Sequence, residues 1–231
     1  MTVINCINIS KINSDNYQLF RNAVSKDRRM KADRYHFLED SQRCILGELL
    51  LQYSLFQAFG QFIKIDTVYN KFGKPFLNHV NGFSYNLSHS GKWVVIAFGR
   101  NEIGIDIEEI QRGKENIADR FFSEDEKNFI YAVNKEEQAK RFTQIWTLKE
   151  SYIKFLGTGL STSLNSFSVN AIDGVVANQD GEIQKGIRLK SYRFNTDYYL
   201  SICSIEEKFV FCEIILKDLI QFISRYEKEQ K

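Results

Sequence analysis

The alternation of apolar and polar positions divides the chain into short strands and a few long helices. Residues 3–9 (VINCINI) alternate and are rich in β-branched side chains, which predicts a strand. Residues 15–35 are charged and helical in period. Residues 39–59 place Ile45, Leu46, Leu49, Leu50, Tyr53, Leu55 and Phe56 at helical spacing. That pattern predicts a buried helix, with Gly60 as its stop. Turn signals fill 66–82, including the only proline, Pro75. Residues 84–90 and 93–99 read as strands, and after a short turn at 99–102 so does 103–110. The expected pairing is an antiparallel hairpin across 93–108.

The second half opens with the polar stretch 111–117. Residues 119–133 and 136–156 read as helices. Ser123 and Glu126 have the spacing of a capping box, and Gly157 with Gly159 ends the second helix. Between 165 and 217 lie the strand-like runs SFSV, EIQKGIRLKSYRF, YYLSICSI and FVFCEIIL, and the polar tail SRYEKEQK is expected to fray. Each half thus shows helix followed by antiparallel strands, which predicts an α+β fold of two similar halves, each a small antiparallel sheet packed with helices. The expected division is 1–103 and 104–231. No Pro/Gly/Ser linker marks it, so the halves are expected to pack tightly.

Composition narrows the partners. The 231 residues carry 31 Lys and Arg against 29 Asp and Glu, a net charge of +2. No global basic field points to nucleic acid, so anion binding must come from local clusters. No apolar run approaches the roughly 18–20 residues that span a bilayer, and MTVINCINISKINSDN lacks the pattern of a secretory signal. Cys6, Cys44, Cys203 and Cys212 form no C-x-x-C pair and no zinc spacing with the three histidines. Buried thiols in a reducing cytoplasm are the expectation.

Five clusters are candidates for chemistry. In Gly104-Ile105-Asp106-Ile107-Glu108, a strand turns Asp106 and Glu108 to one face and the isoleucines to the other. Such a pair suits Mg²⁺ completed by phosphates and water; it is equally what a solvated strand face carries. In Trp146-Thr147-Leu148-Lys149-Glu150-Ser151-Tyr152-Ile153-Lys154, helical spacing aligns Trp146, Glu150 and Lys154, with Lys149 beside them. This is either a metal-phosphate site or a surface ion pair. Ser88-His89-Ser90-Gly91 offers small hydroxyls and one imidazole to a phosphate, or forms a plain turn. Lys74, between Gly73 and Pro75, leaves a rigid turn and either reaches a diphosphate or belongs to a plain charged turn. Arg28 and Lys31 share a face within the basic run Lys26, Arg28, Arg29, Lys31 and Arg34, which is a phosphate clamp or a solvated face.

The order G-K-P, S-H-S-G, G-I-D-I-E, F-F-S-x-x-E and W-x-x-K-E-S-Y-I-K closely resembles the 4'-phosphopantetheinyl transferases. The resemblance is to their long, surfactin-synthetase-activating type, over roughly residues 15–205. It implies a monomer of two pseudo-twofold halves with coenzyme A bound in the active-site cleft between them. By position, Asp106, Glu108 and Glu150 are the implied Mg²⁺ ligands, with Mn²⁺ also possible. Glu150, Lys154 and His89 are implied in catalysis. Arg28, Lys31, Arg43 (in Asp40-x-x-Arg43), Lys74, Pro75, Ser88, His89 and Lys154 are implied in coenzyme A binding. Glu126 matches a family acid of open role. The implied reaction moves phosphopantetheine from coenzyme A to a serine of an apo acyl or peptidyl carrier protein, with secondary metabolism as the expected setting and without nucleic acid or membrane. The rival readings are a Mg²⁺ phosphohydrolase of coenzyme A or nucleotide diphosphates, and a non-catalytic coenzyme A-binding module. A docking surface for the carrier is expected within 110–135, around Ile117, Phe121, Phe122, Phe129 and Ile130; the alternative is that these are helix core.

Overall fold

The computed structural model describes residues 1–229. Along the chain run β1 (Thr2–Asn8), α1 (Ser14–Asn22), α2 (Lys26–Ala32), α3 (Leu38–Phe59), β2 (Thr67–Tyr69), β3 (Pro75–Leu77), β4 (Ser84–Ser90) and β5 (Trp93–Gly99). Then follow β6 (Ile103–Glu109), α4 (Ala118–Phe121), α5 (Glu124–Tyr131), α6 (Lys135–Leu156), β7 (Phe167–Asn170) and β8 (Val175–Asn178). The chain closes with β9 (Arg188–Phe194), β10 (Tyr198–Ser204), β11 (Phe209–Glu213) and α7 (Leu216–Glu229). Of the tail expected to fray, 224–229 is helical; the last two residues lie outside the described residues.

The sequence WVVIAFG explains the first sheet. An unbroken apolar run suits a strand covered on both faces, and β5 is central in the order β11-β1-β5-β4. Its Val94, Ile96 and Phe98 pack with Leu46, Leu49 and Leu50 of α3. Its Trp93, Val95 and Ala97 pack with Ile103, Ile105 and Ile107 of β6 and with Leu200 and Ile202 of β10. That second contact joins the first sheet to the second, ordered β6-β10-β9. Behind the second sheet, Ile145, Leu148 and Ile153 of α6 pack with Phe167 of β7 and Val176 of β8. Burying each Ile or Leu contributes roughly 1.5–3 kcal/mol, so the isoleucine row of β6 alone is a strong tie between the sheets.

The order of elements repeats. β1, a 22-residue helix, a two-stranded arm and a hairpin are followed by β6, a second 22-residue helix, a second two-stranded arm and a second hairpin. The chain crosses between sheets at residues 99–103. Its last strand then returns, pairing in parallel with β1 (Ile4 with Phe211, Asn5 with Cys212), and α7 seats Leu219, Phe222 and Ile223 in the core around α3.

Three local expectations are corrected. The hairpin is β4–β5, with Ser90 paired to Trp93 and Ser84 to Gly99; β6 pairs with β10 instead. Both edges of β5 are already taken by β1 and β4, so β6 has no free edge there. The helix expected over 119–133 breaks at Phe122, whose backbone is extended, because Ser123 caps a new helix. The helical run 15–35 is likewise two helices, since Ser25 accepts from the Arg28 N–H and restarts the chain as α2.

Candidate active site

The site lies on the seam where the two sheets meet, and side chains make that seam. β4 and β6 run in parallel without a backbone ladder between them. In its place, alternate side chains of β4 accept from alternate backbone N–H groups of β6. Asn86 Oδ1 accepts from Ile105 N at 3.0 Å, Ser88 Oγ from Ile107 N at 3.3 Å and Ser90 Oγ from Glu109 N at 3.0 Å. The period of two along both strands makes this row possible. Each serine hydroxyl then donates onward: Ser88 to Asp106 Oδ1 at 2.8 Å and Ser90 to Glu108 Oε2 at 2.7 Å.

α6 closes the site from the other side. It crosses β6 at Gly104, where a Cβ would lie 1.9 Å from the Ser151 carbonyl oxygen and 2.4 Å from the Phe155 nitrogen. Only glycine permits that approach. Gly104, Asp106 and Glu108 share one face of β6, so the contact at Gly104 carries the two acids toward α6. Lys154 Nζ donates to Asp106 Oδ1 at 2.6 Å and to Ser88 Oγ at 2.9 Å. Trp146 and Glu150 follow on the same helix and are half-buried.

The electrostatics are those of crowded carboxylates. Burial, and then the charge of Asp106, raises the pKa of Glu108 above the ordinary range, against the opposing pull of Ser90, Lys154 and Lys114. Burial raises Glu150 as well, followed by Asp106 and Glu108, with Lys154 opposing. Asp106 is 4% exposed, and its Oδ2 is buried without a hydrogen-bond partner. Among the described residues, no three His, Cys, Asp or Glu side chains are already gathered tightly enough to enclose a metal ion; beside Asp106 the nearby cation is Lys154. An unpartnered carboxylate oxygen among hard oxygen donors nevertheless fits Mg²⁺, which takes one or two carboxylates and completes its shell with phosphate and water.

A cavity of about 500 Å³ opens next to this cluster, lined by Phe72, Lys74, Pro75, Leu87, Glu150 and Lys154 among others. It brings Lys74 and Pro75 of the first half to the helix of the second. The Lys74 ammonium caps that helix, donating to the Phe155 carbonyl at 3.1 Å and pairing with Glu102 at 2.7 Å. His89 is exposed at the surface. Enough protein still crowds it that desolvation, and then the charges of Arg43 and Lys154, hold its pKa below the ordinary imidazole value. Arg43 donates to the Gly91 carbonyl and pairs with Asp40. It thereby fixes the β4–β5 turn beside His89, where Gly91 has φ 49° and a Cβ would strike the Tyr198 hydroxyl.

Arg28 pairs with the buried Glu48 at 3.1 Å, and Lys31, one turn on, is exposed. Glu48 also accepts from the Ser25 N–H and hydroxyl, so a single carboxylate anchors α2 to α3.

Lys149 corrects the expectation that it flanks Glu150 in the site. It is fully buried, bonded to Glu126 at 2.6 and 2.8 Å and to the Phe167 carbonyl at 2.8 Å. Successive helical residues stand about 100° apart, so Lys149 faces the core while Glu150 faces the seam. Glu126 acquires a definite place: it completes the Ser123 capping box and accepts from the Val169 N–H as well. Of the apolar residues between the motifs, Phe122 and Ile130 are core, whereas Ile117, Phe121 and Phe129 are half-buried. Sequence reading passed over Asn86 as a seam residue, Ser90 as a carboxylate partner and Gly104 as the crossing point. The signal for the first two was the polar period of two in SYNLSHS; Gly104 gave none beyond its neighbours.

Comparison with known proteins gives the family of the chain. Residues 102–203 match the 4'-phosphopantetheinyl transferase superfamily, and residues 11–101 match the family described as 4'-phosphopantetheinyl transferase, N-terminal. The class is therefore that of a transferase. Among relatives, the 4'-phosphopantetheinyl transferase Sfp of Bacillus subtilis (strain 168) is 33% identical over 86% of this chain and 89% of its own. The 4'-phosphopantetheinyl transferase psf-1 of Bacillus pumilus is 35% identical over 78% of each. The chain belongs to the 4'-phosphopantetheinyl transferase family. A solved holo-(acyl-carrier-protein) synthase of Bacillus anthracis, in complex with CoA, aligns with 46% of this chain at 19% identity and a TM-score of 0.35, a likeness too slight to argue from.

Proposed function

We propose that this enzyme transfers the 4'-phosphopantetheine arm of coenzyme A to a serine of an apo acyl or peptidyl carrier protein, releasing adenosine 3',5'-bisphosphate. The supporting observation is the meeting of Asp106, Glu108, Glu150 and Lys154 at the seam, within a family of phosphopantetheinyl transferases. Asp106, Glu108 and Glu150 would hold Mg²⁺ or Mn²⁺, which when bound neutralises diphosphate charge and stabilises the leaving group.

The chain's own residues do the rest. The repeated element order supports a pseudo-twofold pair of halves, with coenzyme A lying in the cleft between them. Lys31 and His89 bind the phosphates of the adenosine end, with Arg28 reaching them from its pairing with Glu48, and Arg43 holds the turn that presents His89. Neutral His89 gains a proton as phosphate approaches. Lys74 and Pro75 form the wall that leads the nucleotide to the seam. Ser88 steadies Asp106, and Lys154 carries positive charge to the transferring phosphoryl group. The carrier's serine oxygen forms the new bond to phosphorus as the bond to the bisphosphate oxygen breaks. Glu150, whose pKa is raised by burial and neighbouring acids, accepts the serine proton directly or through water. Half-buried Ile117, Phe121 and Phe129, flanked by exposed Arg112, Lys114 and Arg120, would meet an acidic, partly apolar carrier helix. The enzyme would work as a cytoplasmic monomer.

The test combines coenzyme A, Mg²⁺ and a panel of apo carriers with the wild type and Asp106→Ala, read by intact mass. Addition of one phosphopantetheine by the wild type and none by the variant is expected. Near-normal transfer by Asp106→Ala would remove the metal assignment. Turnover of coenzyme A with no carrier present would favour a hydrolase.

A further inference from the structure

The row Asn86, Ser88 and Ser90 does more than join two sheets. An ordinary parallel ladder would satisfy the β6 N–H groups with backbone carbonyls and leave the β6 side chains to find their own rotamers. Here the acceptors are hydroxyls and an amide, and a hydroxyl that accepts still has its proton to give. Ser90 uses both capacities. Its oxygen accepts from the Glu109 N–H at 3.0 Å, and its proton goes to Glu108 Oε2 at 2.7 Å. The backbone bond fixes where the hydroxyl sits; the onward bond fixes the carboxylate.

Glu108 depends on that bond more than its neighbour depends on Ser88. Asp106 is short, buried and held also by Lys154. Glu108 has a longer, freer side chain, is only half-buried, and Ser90 donates the only hydrogen bond its carboxylate receives among the described residues.

We propose that Ser90 is a positioning residue: it holds the Glu108 carboxylate toward Asp106 and Glu150, so that the acids present themselves as one cation site. The inference rests on the reading of Glu108 as a metal ligand. Outer partners of ligating groups typically change metal affinity by about 10- to 100-fold when removed, so Ser90→Ala is expected to weaken cation binding by that factor. Ser90→Thr keeps the hydroxyl and restores it.

The experiment titrates Mn²⁺ into the full-length, chelator-stripped protein and follows free Mn²⁺ by electron paramagnetic resonance. The variants are Ser90→Ala, Ser90→Thr and Glu108→Gln, each with a thermal melt. Weakened binding in Ser90→Ala and Glu108→Gln, with recovery in Ser90→Thr, is the expected result. Weakened binding in Glu108→Gln with wild-type affinity in Ser90→Ala overturns the role of Ser90 and leaves the metal reading standing. Unchanged affinity in Glu108→Gln overturns both. Should Ser90→Ala fail to fold, Ser90→Cys preserves the volume with a weak donor; reduced affinity in that variant supports the inference and wild-type affinity overturns it.

Discussion

Lys149 and Glu150 are adjacent in a motif that reads as one chemical unit, yet the fold gives them different work, and a Lys149→Met variant separates the two. The Lys149 ammonium is enclosed by Glu126, the Phe167 carbonyl and the rings of Phe167 and Phe122, whose centroids lie 4.5 and 5.4 Å away. Desolvation lowers its pKa, and Glu126 opposes the shift. Removing the cation leaves the Glu126 carboxylate buried with the Ser123 and Val169 N–H groups as its remaining partners. Breaking one side of a buried pair typically costs about 3–5 kcal/mol. For a chain of this size each kcal/mol moves Tm by roughly 2–4 °C, so the expected fall is about 6–20 °C, read by calorimetry. Adding Glu126→Gln removes the stranded charge while keeping an acceptor, and is expected to recover part of the loss. The metal and coenzyme affinities of the folded Lys149→Met protein should stay near wild type. A melting point within about 2 °C of wild type, together with lost turnover, would refute the structural role and return Lys149 to the chemistry.

The close crossing at Gly104 makes a second prediction. In Gly104→Ala the new methyl meets backbone atoms of α6 that cannot yield without moving the helix. A destabilisation of about 1–3 kcal/mol or more is expected, with turnover falling further than stability because Glu150 moves relative to Asp106. Wild-type turnover would contradict it. Cys6 supplies a pH dependence. Burial, and then the charge of Glu213, pushes its thiol up to about 12, so the folded chain keeps a proton that the unfolded chain gives up above about 9. Stability should therefore decline as pH rises through 9 toward 12, and native Cys6 should resist alkylation at pH 8; rapid native labelling of Cys6 would contradict its burial. Finally, His89, held below its ordinary pKa, should take up a proton when coenzyme A binds without metal near pH 7. Calorimetry in buffers of different ionisation enthalpy reads that uptake, and its persistence in His89→Gln would assign the proton elsewhere.

The sequence made some elements legible and others not, for physical reasons. The strands 84–90 and 93–99 and the helices ending at Gly60 and Gly157 were readable because burial leaves a periodic trace in the residues themselves. Partners leave no such trace. Nothing in GIDIE says that β6 pairs with β10 rather than β5, nor in FVFCE that β11 returns to β1, because those choices depend on which edges distant segments have already filled. The acids and Lys154 were legible as chemistry, and the structure brings Lys154 onto Asp106. The hidden part was support: Asn86 and Ser90 acquire their roles only when the other half lies opposite them. The cations of Lys74 and Arg28 were legible, but not the partners that engage them, Glu102 and Glu48, which lie outside their motifs. Arg43 pairs with Asp40 of its own motif and also reaches the Gly91 carbonyl, which its sequence neighbours do not signal.

In the proposed function, Asp106, Glu108 and Glu150 serve one divalent ion that also engages the diphosphate of coenzyme A. Crystals grown with coenzyme A and Mn²⁺ test this through the anomalous signal of the manganese. One peak bonded to oxygens of all three side chains and to a phosphate oxygen, with Lys154 turned from Asp106 to the phosphate, is the predicted result. A peak bonded to none of these carboxylates, or to a single one with no phosphate contact, would contradict it.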